Sequence, residues 1–225
     1  MRINVLRVFI LLFFLAGCEQ WNPFAKLRGP EYFPLLGQWT YQMYEVRSPN
    51  FRWPFSRVQE QRERMSYENN SGREIEIEVI RTLNFYPGAS GSWYTYFYVD
   101  ASGVYEYSGF EFYPTLLFPV EPGKGWVVEQ VTLMDGYGFP VDTRLEAQTS
   151  LDSVDVPAGE FEAVKVELNF YDYTYWLAYK QKRLYWKLVR WFAEGYGIVR
   201  EYDDYIPKYK DLESVNFFEE TGGGK

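Results

Sequence analysis

The 225-residue chain has no histidine and one cysteine, Cys18. Without histidine it lacks the commonest acid–base group and metal ligand of neutral pH. With a single cysteine no internal disulfide can form, so the core rests on packing alone. Neither a Ser/His/Asp nor a Cys/His set can be assembled, and a zinc site would need carboxylates only, an unusual donor set. Gly222-Gly223-Gly224-Lys225 lacks the strand and helix context of a phosphate-binding loop. The sequence therefore predicts no catalytic residues, no metal, no cofactor, and a protein that is not an enzyme, with all-carboxylate or tyrosine–lysine chemistry left open. Positive charge is also scarce: 23 Lys and Arg stand against 31 Asp and Glu, a net charge of −8. That balance argues against a nucleic-acid partner, which calls for a basic footprint, and against broad electrostatic docking on anionic lipid. Paired carboxylates could do glycosidase work, but Asp203-Asp204 and Glu219-Glu220 are adjacent and would point to opposite faces of a strand. They read as solvated charges.

What is present begins at the N-terminus. Arg2 and Arg7 precede the apolar run Val8–Leu15, and Leu15-Ala16-Gly17-Cys18 follows. A charged start, a short apolar stretch and small residues form a secretory signal. The run is too short to span a bilayer, which takes about 20 residues. Leu-Ala-Gly-Cys matches the bacterial lipobox. Residues 1–17 are thus expected to be a signal peptide that is removed, and Cys18 the lipidated residue that tethers the chain to a membrane. Glu19 stands where an aspartate would signal inner-membrane retention, which points to the outer membrane, facing the periplasm. Cleavage removes both leading arginines and brings the net charge to about −10. Attachment then has to come from the acyl chains.

Aromatic residues are abundant: 8 Trp, 21 Tyr and 18 Phe, or 21% of the chain. Such side chains suit pleated, half-buried surfaces. Most can be assigned to a β core and its broad faces; some could line a groove for an apolar or ring-bearing ligand. Period-2 patterns dominate after residue 30. Strands are expected at 38–46, 74–79, 92–99, 104–113, 126–134, 141–149, 161–171, 183–192 and 198–202, with Asp100–Gly103 and Pro157-Ala158-Gly159 as turns. Arg57–Tyr67 could be strand or helix, and Glu68–Gly72 reads as a turn. Tyr173–Leu188 could be helical by its leucine spacing, but its aromatics favour strand. Trp39 and Trp126 are expected core anchors, and the basic cluster Lys180-Gln181-Lys182-Arg183 a solvated turn or a lipid-headgroup contact. The expected fold is all-β: one antiparallel, strongly curved sheet, half-barrel or sandwich-like, with few or no helices. Residues 18–30 are the anchor and tether, 31–220 a single β domain, and 221–225 a disordered tail.

Four segments, in order, resemble the TapB-like exported bacterial proteins and lipoproteins: Tyr32–Tyr41, Phe118–Trp126, Val156–Val166 and Trp191–Arg200. The resemblance implies a curved antiparallel sheet similar to the half-barrel of the lipoprotein-localisation carriers. It brings no known activity. Two functions fit: a membrane-anchored domain that binds an apolar or lipid-like ligand or a lipoprotein, or an assembly lipoprotein presenting a surface to another envelope protein. The sequence assigns no ligand-binding residues. Replacing Cys18 with serine is expected to leave an uncut precursor that takes up no labelled palmitate; unchanged labelling would refute lipidation.

Overall fold

The computed structural model describes residues 33, 37–68, 73–87, 91–176, 179–205 and 207–217. Alternation of side chains sets the strands. In β1 (Gly37–Glu45), Trp39, Tyr41 and Met43 are buried and Gln38, Thr40 and Gln42 half-buried, as a pleat with one covered face requires. Eleven more strands follow: β2 (Arg52–Glu68), β3 (Glu74–Phe85), β4 (Ser92–Asp100), β5 (Gly103–Tyr107), β6 (Phe112–Leu117), β7 (Gly125–Met134), β8 (Pro140–Val156), β9 (Gly159–Trp176), β10 (Tyr179–Ala193), β11 (Gly197–Asp203) and β12 (Lys208–Phe217). No helix occurs among the described residues.

All twelve strands form one antiparallel sheet in the order β6-β5-β4-β3-β2-β1-β12-β11-β10-β9-β8-β7. The sheet is rolled. Arg190 of β10 lies 2.5 Å from Glu106 of β5, although six strands separate them in the hydrogen-bonded order. Tyr113 of β6 packs edge-on against Phe170 of β9, centroids 5.4 Å apart. The edge strands β6 and β7 do not pair, but the Glu111 carboxylate accepts the Thr132 N–H at 2.8 Å and bridges the seam. The result is a nearly closed barrel. Because every neighbour is antiparallel, the turns β1–β2, β3–β4, β5–β6, β7–β8, β9–β10 and β11–β12 share one end. That end is called distal here, since β1 starts at the other.

Side chains fill the interior. One cluster holds Phe33, Phe97, Leu116, Leu145, Leu168, Phe170 and Phe192 among others. A second joins Trp39, Tyr41 and Phe55 to Val154, Val156, Trp191 and Val199. Residues 188–193 of β10 are buried on both faces, because the tip of the β8–β9 hairpin curls over the outside of β10–β12. Trp191 Nε1 donates to Asp152 at 2.8 Å, Arg200 Nη2 to the Asp155 carbonyl at 3.0 Å, and Ala158 N to the Leu212 carbonyl at 2.9 Å. β11 and β12 pair only from Arg200↔Asp211 to Asp203↔Lys208 and diverge beyond that. Two side chains of β1 serve the diverging part of the chain: Trp39 Nε1 donates to the Tyr196 carbonyl at 2.7 Å, and Tyr41 Oη to the Ile198 carbonyl at 2.9 Å.

The all-β, single-sheet expectation holds, and the sheet is closer to a closed barrel than to a half-barrel or sandwich. Arg57–Tyr67 is strand, and Tyr173–Leu188 contributes strand from both β9 and β10. The reversal around Gly195 and Gly197 uses φ of +77° at each, a region open to glycine. Some expectations fail. The 104–113 strand breaks at Ser108–Glu111, where the Ser108 hydroxyl accepts the Phe110 and Glu111 N–H groups and Gly109 takes φ +101°. β6 and β12 were not foreseen: β6 is short with Pro114 inside it, and β12 carries four charged residues in ten, which hides its alternation. Lys182 and Arg183 lie on strand β10, not a turn. Trp39 is buried, whereas Trp126 is only half-buried. Of the expected turn Glu68–Gly72, Glu68 is the last residue of β2; residues 69–72, the tether and the tail lie outside the described residues.

Tyr41→Phe is expected to leave the Ile198 carbonyl without its donor inside the core. The loss should be about 1–3 kcal/mol, read as a lower urea midpoint at unchanged slope.

Candidate functional site

At the distal end the barrel opens into a cavity of about 340 Å3. Its wall is built from five pieces of chain. β5 and its turn give Glu106, Tyr107 and Ser108; β7 and its turn give Leu133, Met134, Asp135 and Gly136. β6 adds Tyr113, β10 adds Tyr185 and Trp186, and the β11–β12 turn region adds Asp203 and Tyr205. The lining thus includes five rings and three carboxylates. Neither lysine nor arginine lines it among the described residues.

Several wall groups are held in place. The Trp186 ring stacks on Phe170 at 4.9 Å and 18°, and its Nε1 donates to Asp203 at 2.9 Å. Asp203 also accepts the Tyr205 N–H at 3.0 Å and faces Lys208 at 3.5 Å. Asp135 folds its own turn by accepting the Tyr137 and Phe139 N–H groups at 2.9 and 2.8 Å. A β-carbon at Gly136 would come within 2.4 Å of the Tyr205 hydroxyl, so glycine there lets that ring lie across the turn. Around the mouth stand exposed apolar side chains on the same turns: Phe110, Met134, Tyr137, Phe139 and Tyr205, with Tyr137 88% exposed.

Beneath the cavity a buried charge network fixes Glu106. Arg190 Nη1 binds Glu106, and its Nε donates to Glu201 at 2.9 Å. Glu201 also takes a hydrogen bond from Lys210 and faces Arg57 at 3.5 Å. Arg57 Nε donates to Asn84 at 3.1 Å, and Asn84 to Thr95 at 2.8 Å. Burial alone would push the Glu201 carboxyl up, but Lys210, Arg190 and Arg57 together hold it well below the usual carboxylate range. Burial lowers Lys210, with Glu201 opposing. Burial drives Tyr113 well above the ordinary phenol value, helped by Glu106, and Tyr41 to about 12. These tyrosines stay neutral, so the network holds three cations and two carboxylates.

All three cavity carboxylates accept hydrogen bonds from fixed donors or pair with cations. No group of three or more His, Cys, Asp or Glu suited to a metal ion occurs among the described residues.

Cys18 and Glu219-Glu220 lie outside the described residues. Asp203, the last residue of β11, lines the cavity, while Asp204, in the turn that follows, accepts the Lys187 N–H at 2.6 Å. Asp203 is not the merely solvated charge the sequence suggested. In the basic cluster, Lys182 pairs with Glu146 at 2.6 Å and sits 3.7 Å from the Tyr171 ring centroid, while Arg183 grips Asp172. The partners of both cations come from their own sheet. Glu106, Asp135, Tyr185, Trp186 and Tyr205 escaped sequence reasoning, because each is one acid or ring among dozens and only the roll of the sheet groups them.

No family model matches the chain, and no curated protein matches it. Two solved structures are similar to it. One is a "putative exported protein with YmcC-like fold" from Bacteroides fragilis, 16% identical, covering 80% of this chain and 95% of that one, with a TM-score of 0.39. The other is a "putative lipoprotein" from Parabacteroides distasonis, 14% identical, covering 82% and 98%, with a TM-score of 0.38. Likeness at this level carries no argument about function.

Glu201→Gln would leave Arg57, Arg190 and Lys210 facing one carboxylate fewer, at a cost of about 3–5 kcal/mol. Glu201 is depressed in the folded state, so its stabilisation is full above the unfolded glutamate value, about 4.3, and is lost as pH falls through the folded value. Urea titrations from pH 7 down to 2 should show that acid limb in the native protein and a flatter one in the variant.

Proposed function

We propose that the barrel is the ligand-binding domain of an envelope lipoprotein, and that its ligand is a lipid-like amphiphile held at the distal end. The cavity carries this reading. A solvent-open space of about 340 Å3 with fixed polar groups at its base suits a head group or other small moiety, and falls in the usual range for small-molecule sites. The exposed rings at the mouth give the apolar part a surface. Elsewhere, among the described residues, two clusters of side chains pack the interior, so an acyl chain would lie along the rim and not inside the barrel. The lipobox at Cys18 supports anchoring, and Glu19 supports the outer membrane on its periplasmic side. The four segments similar to TapB-like proteins accord with an exported binding domain.

The same geometry supports a binding protein over an enzyme. A glycosidase would need one of the three cavity carboxylates as a free acid and another as nucleophile or base. Here Glu106 is taken by Arg190, Asp203 by Trp186, Tyr205 and Lys208, and Asp135 by its own turn.

Native mass spectrometry of the full-length lipoprotein released in mild detergent should show one bound low-mass ligand. Met134→Trp, at a half-exposed lining residue, should displace it without unfolding the domain. A reproducible protein partner with no ligand would instead support the assembly role.

A further inference from the structure

We infer that the distal cavity selects a positively charged head group, an alkylated or primary ammonium, in preference to a neutral or anionic one; this rests on the binding reading above. Three observations converge. First, the lining combines Glu106, Asp135 and Asp203 with no lysine or arginine, so the wall itself offers an entering cation carboxylates and offers an anion no charged partner, only hydroxyl donors. The nearby cations are already engaged from behind, Arg190 by Glu106 and Glu201 and Lys208 by Asp203. Asp135 is held only by backbone N–H groups of its own turn and faces no cation in a described ion pair, which leaves its charge available.

Second, the carboxylates stand among rings: Tyr107, Tyr113, Tyr185, Trp186 and Tyr205. A cation over an aromatic face is attracted by the ring quadrupole, most strongly over tryptophan, and the attraction grows when water is excluded. Trp186 is held in one orientation. One face rests on Phe170, and its N–H is tied to the Asp203 carboxylate. A negative charge at the N–H edge makes the indole face more negative and so more attractive to a cation.

Third, the rim suits what an ammonium-headed amphiphile carries next to its charge. Phe110, Met134 and Phe139 are exposed at the mouth, and an apolar substituent leaving the cavity would meet them. An inorganic cation would gain nothing from the apolar rim, and the carboxylates form no metal-type cluster among the described residues.

The test uses the full-length lipoprotein in a non-ionic detergent and two probes of nearly equal shape: choline, and 3,3-dimethylbutan-1-ol, its uncharged carbon counterpart. Ligand-observed NMR should show choline binding at least about tenfold more tightly than the alcohol, the range expected when a desolvated cation meets aromatic faces. Asp135→Asn keeps an oxygen for the Tyr137 and Phe139 N–H groups, so the turn survives while the charge is lost; choline affinity should fall several-fold and alcohol affinity stay unchanged. Trp186→Phe should weaken choline as well. Equal binding of both probes would overturn the inference and leave the binding reading intact. Silence from both probes, with a neutral or anionic ligand seen by native mass spectrometry, would overturn it in the same way. Silence from both, with no co-purified ligand, would take the binding reading down with it.

Discussion

The barrel depends on one buried carboxylate. Glu201 on β11 is held by Arg190 from β10, Lys210 from β12 and Arg57 from β2. A charge taken out of water is costly unless paired and hydrogen-bonded, so each of these residues can be buried only if the others are in place. Arg190 then reaches Glu106 on β5, on the opposite side of the rolled sheet. The network is worth little as net stabilisation, because desolvation consumes most of the attraction. Its weight lies in registry. A sheet slipped by one residue would turn Arg190, Glu201 or Lys210 to the other face and strand the remaining charges in the interior.

Closure and site are consequences of the same roll. When Arg190 meets Glu106, the β5–β6 and β7–β8 turns come to the same rim as the β11–β12 turn, and the seam between β6 and β7 is bridged by Glu111 and Thr132. Glu106 has one role in each direction: it completes the network below and forms part of the cavity wall above. The cavity is therefore not a loop feature added to a finished scaffold. Its base is the top of the charge network, and its walls are the ends of strands whose lower halves form the core.

The aromatic richness divides along the same axis. Rings of the lower and middle barrel, such as Trp39, Phe55, Phe97 and Phe192, are fully buried and fill space. Rings at the distal end, Tyr137, Phe139 and Tyr205 among them, remain exposed and surround the opening. One composition thus serves packing inside the barrel and a rim of exposed rings around the distal opening; Tyr196 and Phe217, at the opposite end, are exposed as well.

Much of the fold was legible in the sequence. Alternation in Gln38–Val46 and Glu74–Val79, the turn residues at Asp100–Gly103 and Pro157–Gly159, and the glycines at 195 and 197 act over a few residues, and local geometry settles them. The missing histidine, the solitary cysteine and the lipobox at Cys18 likewise need no folded structure to be read. The tertiary structure alone decided the rest. Ser108–Glu111 breaks what looked like one strand, because a turn is needed there for β6 to return along the seam. β12 was obscured by Lys208, Lys210, Asp211 and Glu213; Lys210 can be buried only because Glu201 awaits it, and Asp211 because Arg200 does. The cavity was invisible for the same reason: Glu106, Asp135, Trp186 and Asp203 are scattered over almost a hundred residues, and proximity created by rolling a sheet leaves no mark on the spacing of the residues it brings together.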